Sequence, residues 1–172
     1  MNFPGGGIFR LLSISTYHSL NNIFITEFRP MQNSNHSPPI YLVSACLMGL
    51  KTRYDGQVFT SEACSKAVAD GIWLPFCPEQ LGELTTPRIA ADLVDGNGHD
   101  VLAGRARVVT RDGEDVTENF IEGAGQVLDI AQRQNITRIF LKAHSPSCGL
   151  TPKIGVMAAL LKVAGFEIQE FE

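Results

Sequence analysis

The chain has 172 residues, of which 44% are hydrophobic and 19% are charged, and its formal net charge is −4. This length suits one domain with a single hydrophobic core. Acidic side chains outnumber basic ones, 18 to 14, so the composition gives no electrostatic footprint for a nucleic acid polymer or an anionic membrane. We therefore expect a small molecule as the partner.

The first 38 residues differ from the rest of the chain. They lack clean periodicity, and a polar run from Met31 ends at the consecutive prolines Pro38 and Pro39. We interpret residues 1–38 as a flexible or non-native extension, with Met31 as a candidate natural start, and residues 39–172 as one α/β domain. The sequence contains no apolar run of signal-peptide or membrane-spanning length. We therefore expect a cytoplasmic protein whose cysteines stay reduced.

The first elements of the domain are two strands and a short helix. Ile40–Ala45 is apolar and partly β-branched, which predicts a buried strand. Thr60–Gly71 predicts a helix with its N-cap at the first or second residue. Ile72–Phe76 predicts a second strand, and its proline favours a position at a sheet edge. Residues 78–104 are rich in loop residues and predict one helical turn at Asp100–Ala103.

The second half of the chain continues the alternation of strands and helices. A long helix is predicted over residues 116–134, where Asp115 and Glu118 have the spacing of a capping box. Strands are predicted at Ala106–Thr110, Thr137–Lys142 and Phe166–Phe171, and a last helix at Gly155–Val163. This order predicts an α/β fold, a single Rossmann-like domain whose mostly parallel sheet is flanked by helices.

Three of the four cysteines come at or soon after the ends of predicted strands. Cys46 and Cys77 follow their strands directly, and Cys148 follows the third strand by a few residues. Because the carboxyl ends of parallel strands lie at one edge of a sheet, we expect these thiols to lie close together. Cys64 falls within a predicted helix, and we expect it to be a buried structural residue.

The type of these three ligands and their spacing in the sequence limit which metals they would bind. Soft thiolates favour zinc or an iron–sulfur cluster over hard cations. Structural zinc usually uses closely spaced ligand pairs, and the chain contains no Cys-x-x-Cys pair. A four-iron cluster ordinarily has four cysteine ligands, so three would leave one iron free to act as a Lewis acid. The alternative is that the cysteines are small core residues.

Several motifs occur in a recognisable order. They are Ser44–Gly49 with Arg53–Gly56, Cys77–Gly82 with Thr86–Arg88, Asp112–Thr117 and Ser145–Gly149. This succession, from Ile40 to the C-terminus, resembles the thiouracil desulfidase (2-thiouracil desulfurase) family of bacteria. The resemblance implies an α/β fold and a [4Fe-4S] cluster held by Cys46, Cys77 and Cys148, with one iron not ligated by the protein. It also implies hydrolytic removal of sulfur from a thiolated pyrimidine such as thiouracil, giving uracil and hydrogen sulfide.

Glu79 and Ser145 are the candidate catalytic residues in this context. Glu79, two residues from Cys77, would take a proton from the attacking water and return it to the departing sulfur. The alternative is a carboxylate in a salt bridge with Arg88 or Arg53. Ser145 is the preferred hydrogen-bond donor beside the third cysteine, and the alternative is that it caps a turn.

Four further residues are candidates for binding the substrate. Arg53, Tyr54 and Asp55 offer donors, acceptors and a stacking ring that suit a pyrimidine, and the alternative is a solvated turn. Ser147 is a candidate donor to the substrate or to cluster sulfur. The expected substrate is a small thiolated base or nucleoside, with other thioamides left open.

The chain departs from the family pattern in one segment, and two other classes of protein remain alternatives. Many relatives have a longer segment after Gly149, whereas here only Leu150–Ile154 precedes the last helix, so we expect a more open site. The first other class is an iron–sulfur-cluster carrier or redox-sensing binding protein without turnover. The second is a hydrolase that uses Cys148 as nucleophile with His144.

Overall fold

The computed structural model describes residues 37–172, so the expectations for residues 1–36 lie outside the described part of the chain. Strands and helices alternate along these residues. They are β1 Ile40–Ser44, α1 Glu62–Ala67, β2 Ile72–Phe76, α2 Pro78–Leu81, β3 Ala91–Val94, α3 Gly98–Leu102, β4 Arg107–Thr110, α4 Thr117–Arg133, β5 Ile136–Lys142, α5 Val156–Val163 and β6 Ile168–Phe171. Within residues 37–172, no helix combines the length and apolar character that crossing a bilayer requires.

The main sheet has four strands in the order β2-β1-β5-β6, and all of its pairs are parallel. The predicted α/β class with a mostly parallel sheet is therefore confirmed. β2 lies at an edge, as its proline predicted, because Pro75 has no N–H to donate to a second neighbouring strand.

Alternate residues of the central strands β1 and β5 pack on opposite faces of the sheet. One face contributes to the larger core with α3, α4 and α5, through Leu42, Ile139 and Leu141. The other face contributes to a smaller core with α1, through Tyr41, Val43 and Phe140. The period of two along each strand thus buries both faces of the sheet. Cys64 of α1 is fully buried in the smaller core, as expected.

Residues 78–104 contain more regular structure than their loop composition predicted. They include α2, β3 and α3, and β3 pairs with β4 as a separate antiparallel two-stranded sheet. β3 has only four residues, one of them Asp92, so it lacks the apolar run that identifies a strand. The strand predicted at Ala106–Thr110 exists as β4 but lies outside the main sheet.

The predicted helix caps agree with the structure at α1, whereas at α4 the predicted start agrees within one residue but the predicted cap does not. Ser61 caps α1 by accepting a hydrogen bond from the backbone N–H of Cys64, although α1 ends earlier than predicted. The capping box predicted for α4 is wrong, because its N-cap is Val116, which has no side-chain capping bond. The carboxylate of Asp115 instead accepts hydrogen bonds from the backbone N–H and the hydroxyl of Thr117.

Two glycines allow α2 and α4 to touch backbone to backbone. A Cβ atom on Gly123 would overlap the carbonyl oxygen of Pro78, and one on Gly82 would overlap the carbonyl oxygen of Asn119. The side-chain amide of Asn119 also donates a hydrogen bond to the Gly82 carbonyl at 2.8 Å. α2 is therefore fixed on the longest helix of the described chain.

We predict that Gly123→Ala lowers the free energy of unfolding by about 2 kcal/mol, because the new methyl group forces α2 away from α4. Gly125→Ala is the matched control in the same helix, since nothing lies within 4 Å of its added Cβ. The control should raise the free energy of unfolding by roughly 0.5–1 kcal/mol. Urea denaturation measures both changes, and equal stabilities of the two variants would contradict the prediction.

Candidate active site

The site lies where three adjacent parallel strands end. β1 leads into a 3-10 turn that contains Cys46, β2 leads directly to Cys77 at the N-cap of α2, and β5 leads to the loop that contains Cys148. All three cysteines line one cleft of about 310 Å³. The strand ends thus bring residues from distant parts of the sequence to one edge of the sheet. Cys64 is not among the residues that line this cleft.

The spacing of the cleft residues differs from that of a site for one ion. Among residues 37–172, no group of three or more His, Cys, Asp or Glu side chains is spaced to hold a single metal ion. An iron–sulfur cluster does not require its ligands to converge on one point, because each cysteine binds a different iron atom.

Burial sets the electrostatics of the three thiols. It raises the pKa of Cys46 to about 11, with a smaller contribution from Cys77 in the same direction and opposing contributions from Lys142 and Arg53. Burial likewise raises the pKa of Cys77 and raises that of Cys148 well above its ordinary value. A nucleophilic cysteine needs a lowered pKa, whereas a metal centre supplies the positive charge that stabilises buried thiolates.

Cys148 and His144 each interact with a different residue. The hydroxyl of Ser44 donates to Cys148 Sγ at 3.5 Å, and this hydrogen bond lowers the pKa of Cys148 against the larger effect of burial. His144 Nε2 lies 3.0 Å from the Glu172 carboxylate, and the imidazole is largely exposed. These contacts do not form the nucleophile–base pair that a cysteine hydrolase requires.

Glu79 lines the cleft with both carboxylate oxygens hydrogen-bonded. Oε2 accepts from Arg88 Nε at 2.6 Å, and Oε1 accepts from the Ser147 hydroxyl at 3.0 Å. The Glu79 side chain is 15% exposed and that of Arg88 is 8% exposed, so this is a largely buried ion pair. The salt bridge considered as an alternative is therefore present, and the carboxylate nevertheless lines the cleft.

Arg88 also ties Glu79 to the neighbourhood of Cys77. Its Nη2 donates to the backbone carbonyl of Thr52 at 3.1 Å, and Cys77 Sγ lies 3.8 Å from the same carbonyl. The sequence suggested Arg88 only as a possible partner of Glu79. The sequence feature that could have pointed to Arg88 as a site residue is its place at the end of the Thr86–Arg88 motif.

Ser145 and Ser147 have different surroundings. Ser145 lines the cleft, and its Oγ accepts hydrogen bonds from the backbone N–H groups of Ser147 and Cys148 at 3.2 and 3.1 Å. It therefore caps the turn while its own proton remains available to a ligand. Ser147 is 2% exposed and does not line the cleft, because its hydroxyl points to Glu79.

Of the three polar residues predicted to bind the substrate after Cys46, two lie at the cleft. Arg53 and Tyr54 line the cleft, but Asp55 does not. The Asp55 carboxylate accepts two hydrogen bonds from Arg53, at 3.1 and 2.8 Å, and one from the backbone N–H of Gln57. Asp55 thus contacts Arg53 and its own turn, as the alternative of a local turn suggested.

The short segment after Gly149 is held against β6. The backbone N–H of Leu150 and the hydroxyl of Thr151 each donate to the carboxylate of Glu170 at 2.7 Å. No residue of Leu150–Ile154 is among the described residues that line the cleft. That the site is more open than in relatives remains a prediction.

Fold and site together define an α/β protein with a thiol-lined cleft of small-molecule size at the carboxyl edge of its parallel sheet. Comparison with known families matches residues 41–170 to the 2-thiouracil desulfurase family. The chain belongs to this family, which confirms the resemblance seen in its motifs.

Two similar proteins support this assignment. The uncharacterized protein YbbK of Bacillus subtilis (strain 168) is 44% identical over 139 residues, which cover 74% of this chain and 92% of YbbK. The solved structure of the [4Fe-4S]-dependent thiouracil desulfidase TudS is 35% identical, with a TM-score of 0.63. That match covers 77% of this chain and 90% of the TudS chain.

We predict that Asp55→Asn lowers the free energy of unfolding at pH 7 by at most about 1 kcal/mol, because it removes the negative charge that pairs with Arg53. The hydrogen bonds from Arg53, together with a smaller contribution from the backbone N–H of Gln57, lower the pKa of Asp55 from 3.8 to about 2. The stabilisation is therefore fully present above about pH 4 and is lost as the pH falls through about 2. Urea denaturation at several pH values measures it, and a difference that persists unchanged at pH 2 would contradict this assignment.

Proposed function

We propose that the protein is a [4Fe-4S]-dependent desulfidase that hydrolyses a thiolated pyrimidine such as thiouracil, giving uracil and hydrogen sulfide without net redox change. The observation that carries the proposal is a single cleft lined by three largely buried thiols and by the carboxylate of Glu79. Membership of the desulfurase family and the likeness to TudS, which is named for its cluster and for thiouracil, support it.

The residues of the cleft fit an iron–sulfur cluster. Cys46, Cys77 and Cys148 supply three soft sulfur ligands, and burial makes their charged forms depend on a nearby cation. Three ligands leave one iron of a four-iron cluster without a protein ligand. When bound, such a cluster supplies a Lewis-acidic iron that attracts the sulfur of a thiocarbonyl group.

Glu79 acts as the general base and acid in this proposal. Its carboxylate takes the proton of the water that attacks the ring carbon, and returns it as the sulfur leaves. Arg88 and Ser147 hold the two carboxylate oxygens at 2.6 and 3.0 Å, so the group is oriented before a substrate binds. A cluster carrier without turnover would have no need for a carboxylate held in this way.

The remaining candidates divide into substrate contacts and residues that act through a neighbour. Tyr54 offers a ring for stacking, Arg53 offers donors to the polar edge of a pyrimidine, and Ser145 has a hydroxyl proton to donate. Asp55 positions Arg53, and Ser147 positions Glu79. A free thiolated base or its nucleoside is the proposed substrate class.

We predict that replacing any of Cys46, Cys77 and Cys148 by Ser removes the cluster. Anaerobically purified wild-type protein should be brown, with a broad absorbance near the boundary of visible and ultraviolet light, and each variant should lose most of it. Cys64→Ser is the control, because Cys64 belongs to the smaller core and does not line the cleft, and it should keep the absorbance. A colourless wild type with stoichiometric zinc, or with no metal after reconstitution, would refute the proposed cofactor.

We predict that Glu79→Gln slows sulfide release from thiouracil by about 10²–10⁴-fold, because the amide cannot take up the proton of water. Cluster absorbance should stay at the wild-type level. Glu83→Gln is the matched control, since Glu83 is exposed and does not line the cleft, and it should keep full activity. Unchanged turnover in Glu79→Gln would overturn the assigned role, and a cluster-loaded wild type that releases no sulfide would favour a carrier.

A further inference from the structure

Ser44 lies at the end of β1, where the paired register of β1 and β5 stops after Val43 and Phe140. Its Oγ accepts a hydrogen bond from the backbone N–H of Lys142 at 3.2 Å. The hydroxyl proton is therefore free to be donated, and it is directed at Cys148 Sγ, 3.5 Å away. Ser44 is 2% exposed although it borders the cleft, so this contact is largely buried.

We propose that Ser44 is a positioning residue that tunes the cluster by donating a hydrogen bond to the sulfur of Cys148. Hydrogen bonds to cysteine sulfur withdraw electron density from the bound iron, which raises the reduction potential and makes the iron a stronger Lewis acid. The inference rests on the proposed function only in requiring a cluster at the three cysteines.

Among the side-chain hydrogen bonds of residues 37–172, a hydroxyl donor to a cleft sulfur is found at Cys148. Cys46 lines the cleft together with the cationic side chains of Lys142 and Arg53. Cys77 Sγ lies 3.8 Å from the Thr52 carbonyl oxygen, which accepts hydrogen bonds and cannot donate one to a thiolate.

Cys148 itself is 4% exposed, so its sulfur has little contact with solvent. The Ser44 hydroxyl lies 3.5 Å from this sulfur, and its oxygen is held in place by the hydrogen bond from the backbone N–H of Lys142. Loss of the hydroxyl should therefore change the properties of the iron bound to Cys148.

The test compares Ser44→Ala, which removes the hydroxyl, with Ser44→Thr, which keeps it. Ser61→Ala is the matched control, because Ser61 is a buried serine that caps α1 and is not among the cleft residues. Cluster content and thermal unfolding are measured first for every protein. Resonance Raman spectra are then recorded in H₂O and D₂O, and the reduction potential is determined by titration.

Wild type, Ser44→Thr and Ser61→Ala should show a shift of an iron–cysteine stretching band on transfer to D₂O, because the hydroxyl proton exchanges. Ser44→Ala should lose that shift. The reduction potential of Ser44→Ala should be lower than that of the wild type. When both are held at the wild-type midpoint potential, the ratio of reduced to oxidised cluster in Ser44→Ala should be about threefold to tenfold smaller, where tenfold corresponds to about 59 mV for one electron. A folded Ser44→Ala that no longer retains the cluster, while Ser44→Thr does, also supports the proposal.

Two results would overturn the inference. One is a Ser44→Ala protein with the wild-type deuterium shift and potential, and the other is loss of the cluster in both Ser44 variants, which would indicate a packing role. A wild-type chain that takes up no cluster overturns the proposed function itself, so the two failures are distinguishable.

Discussion

The parallel pairing of β2, β1 and β5 is the constraint on which the site depends. Their common direction places the residues that follow all three strands at one edge, and the two cores fix the register of the central pair. A slip of one residue would move Leu42 from the larger core to the opposite face and Val43 in the other direction. Hydrophobic packing far from the cleft therefore decides where the thiols lie.

Glu79 reaches the same cleft by a different route. It belongs to α2, which is fixed by backbone contact with α4 at Gly82 and Gly123. Its carboxylate is then oriented by Arg88. The guanidinium of Arg88 also donates to the backbone carbonyl of Thr52, which lies beside the sulfur of Cys77. The sheet thus positions the proposed cluster ligands, while helix packing and one largely buried ion pair position the proposed base.

Much of this arrangement could be predicted because its signals are local. Cys46 and Cys77 directly follow apolar runs, so the strands and their shared edge follow from the pattern. β3 could not be predicted, because its four residues are stabilised by pairing with β4 beyond an intervening helix. The sequence did not indicate that the Asp55 carboxylate would contact Arg53 instead of lining the cleft, because both residues belong to the same short polar run. Ser44 belongs to the first motif, but its contact with Cys148 could not be predicted, because the two residues are 104 positions apart in the sequence.

Mössbauer spectroscopy of the ⁵⁷Fe-reconstituted protein, with and without thiouracil, tests the proposed open iron most directly. Three cysteine ligands predict a four-iron cluster with one distinct iron, in a ratio of about three to one, whose signal changes when thiouracil binds. Four equivalent irons that do not respond to thiouracil, or the absence of a cluster, would contradict the account.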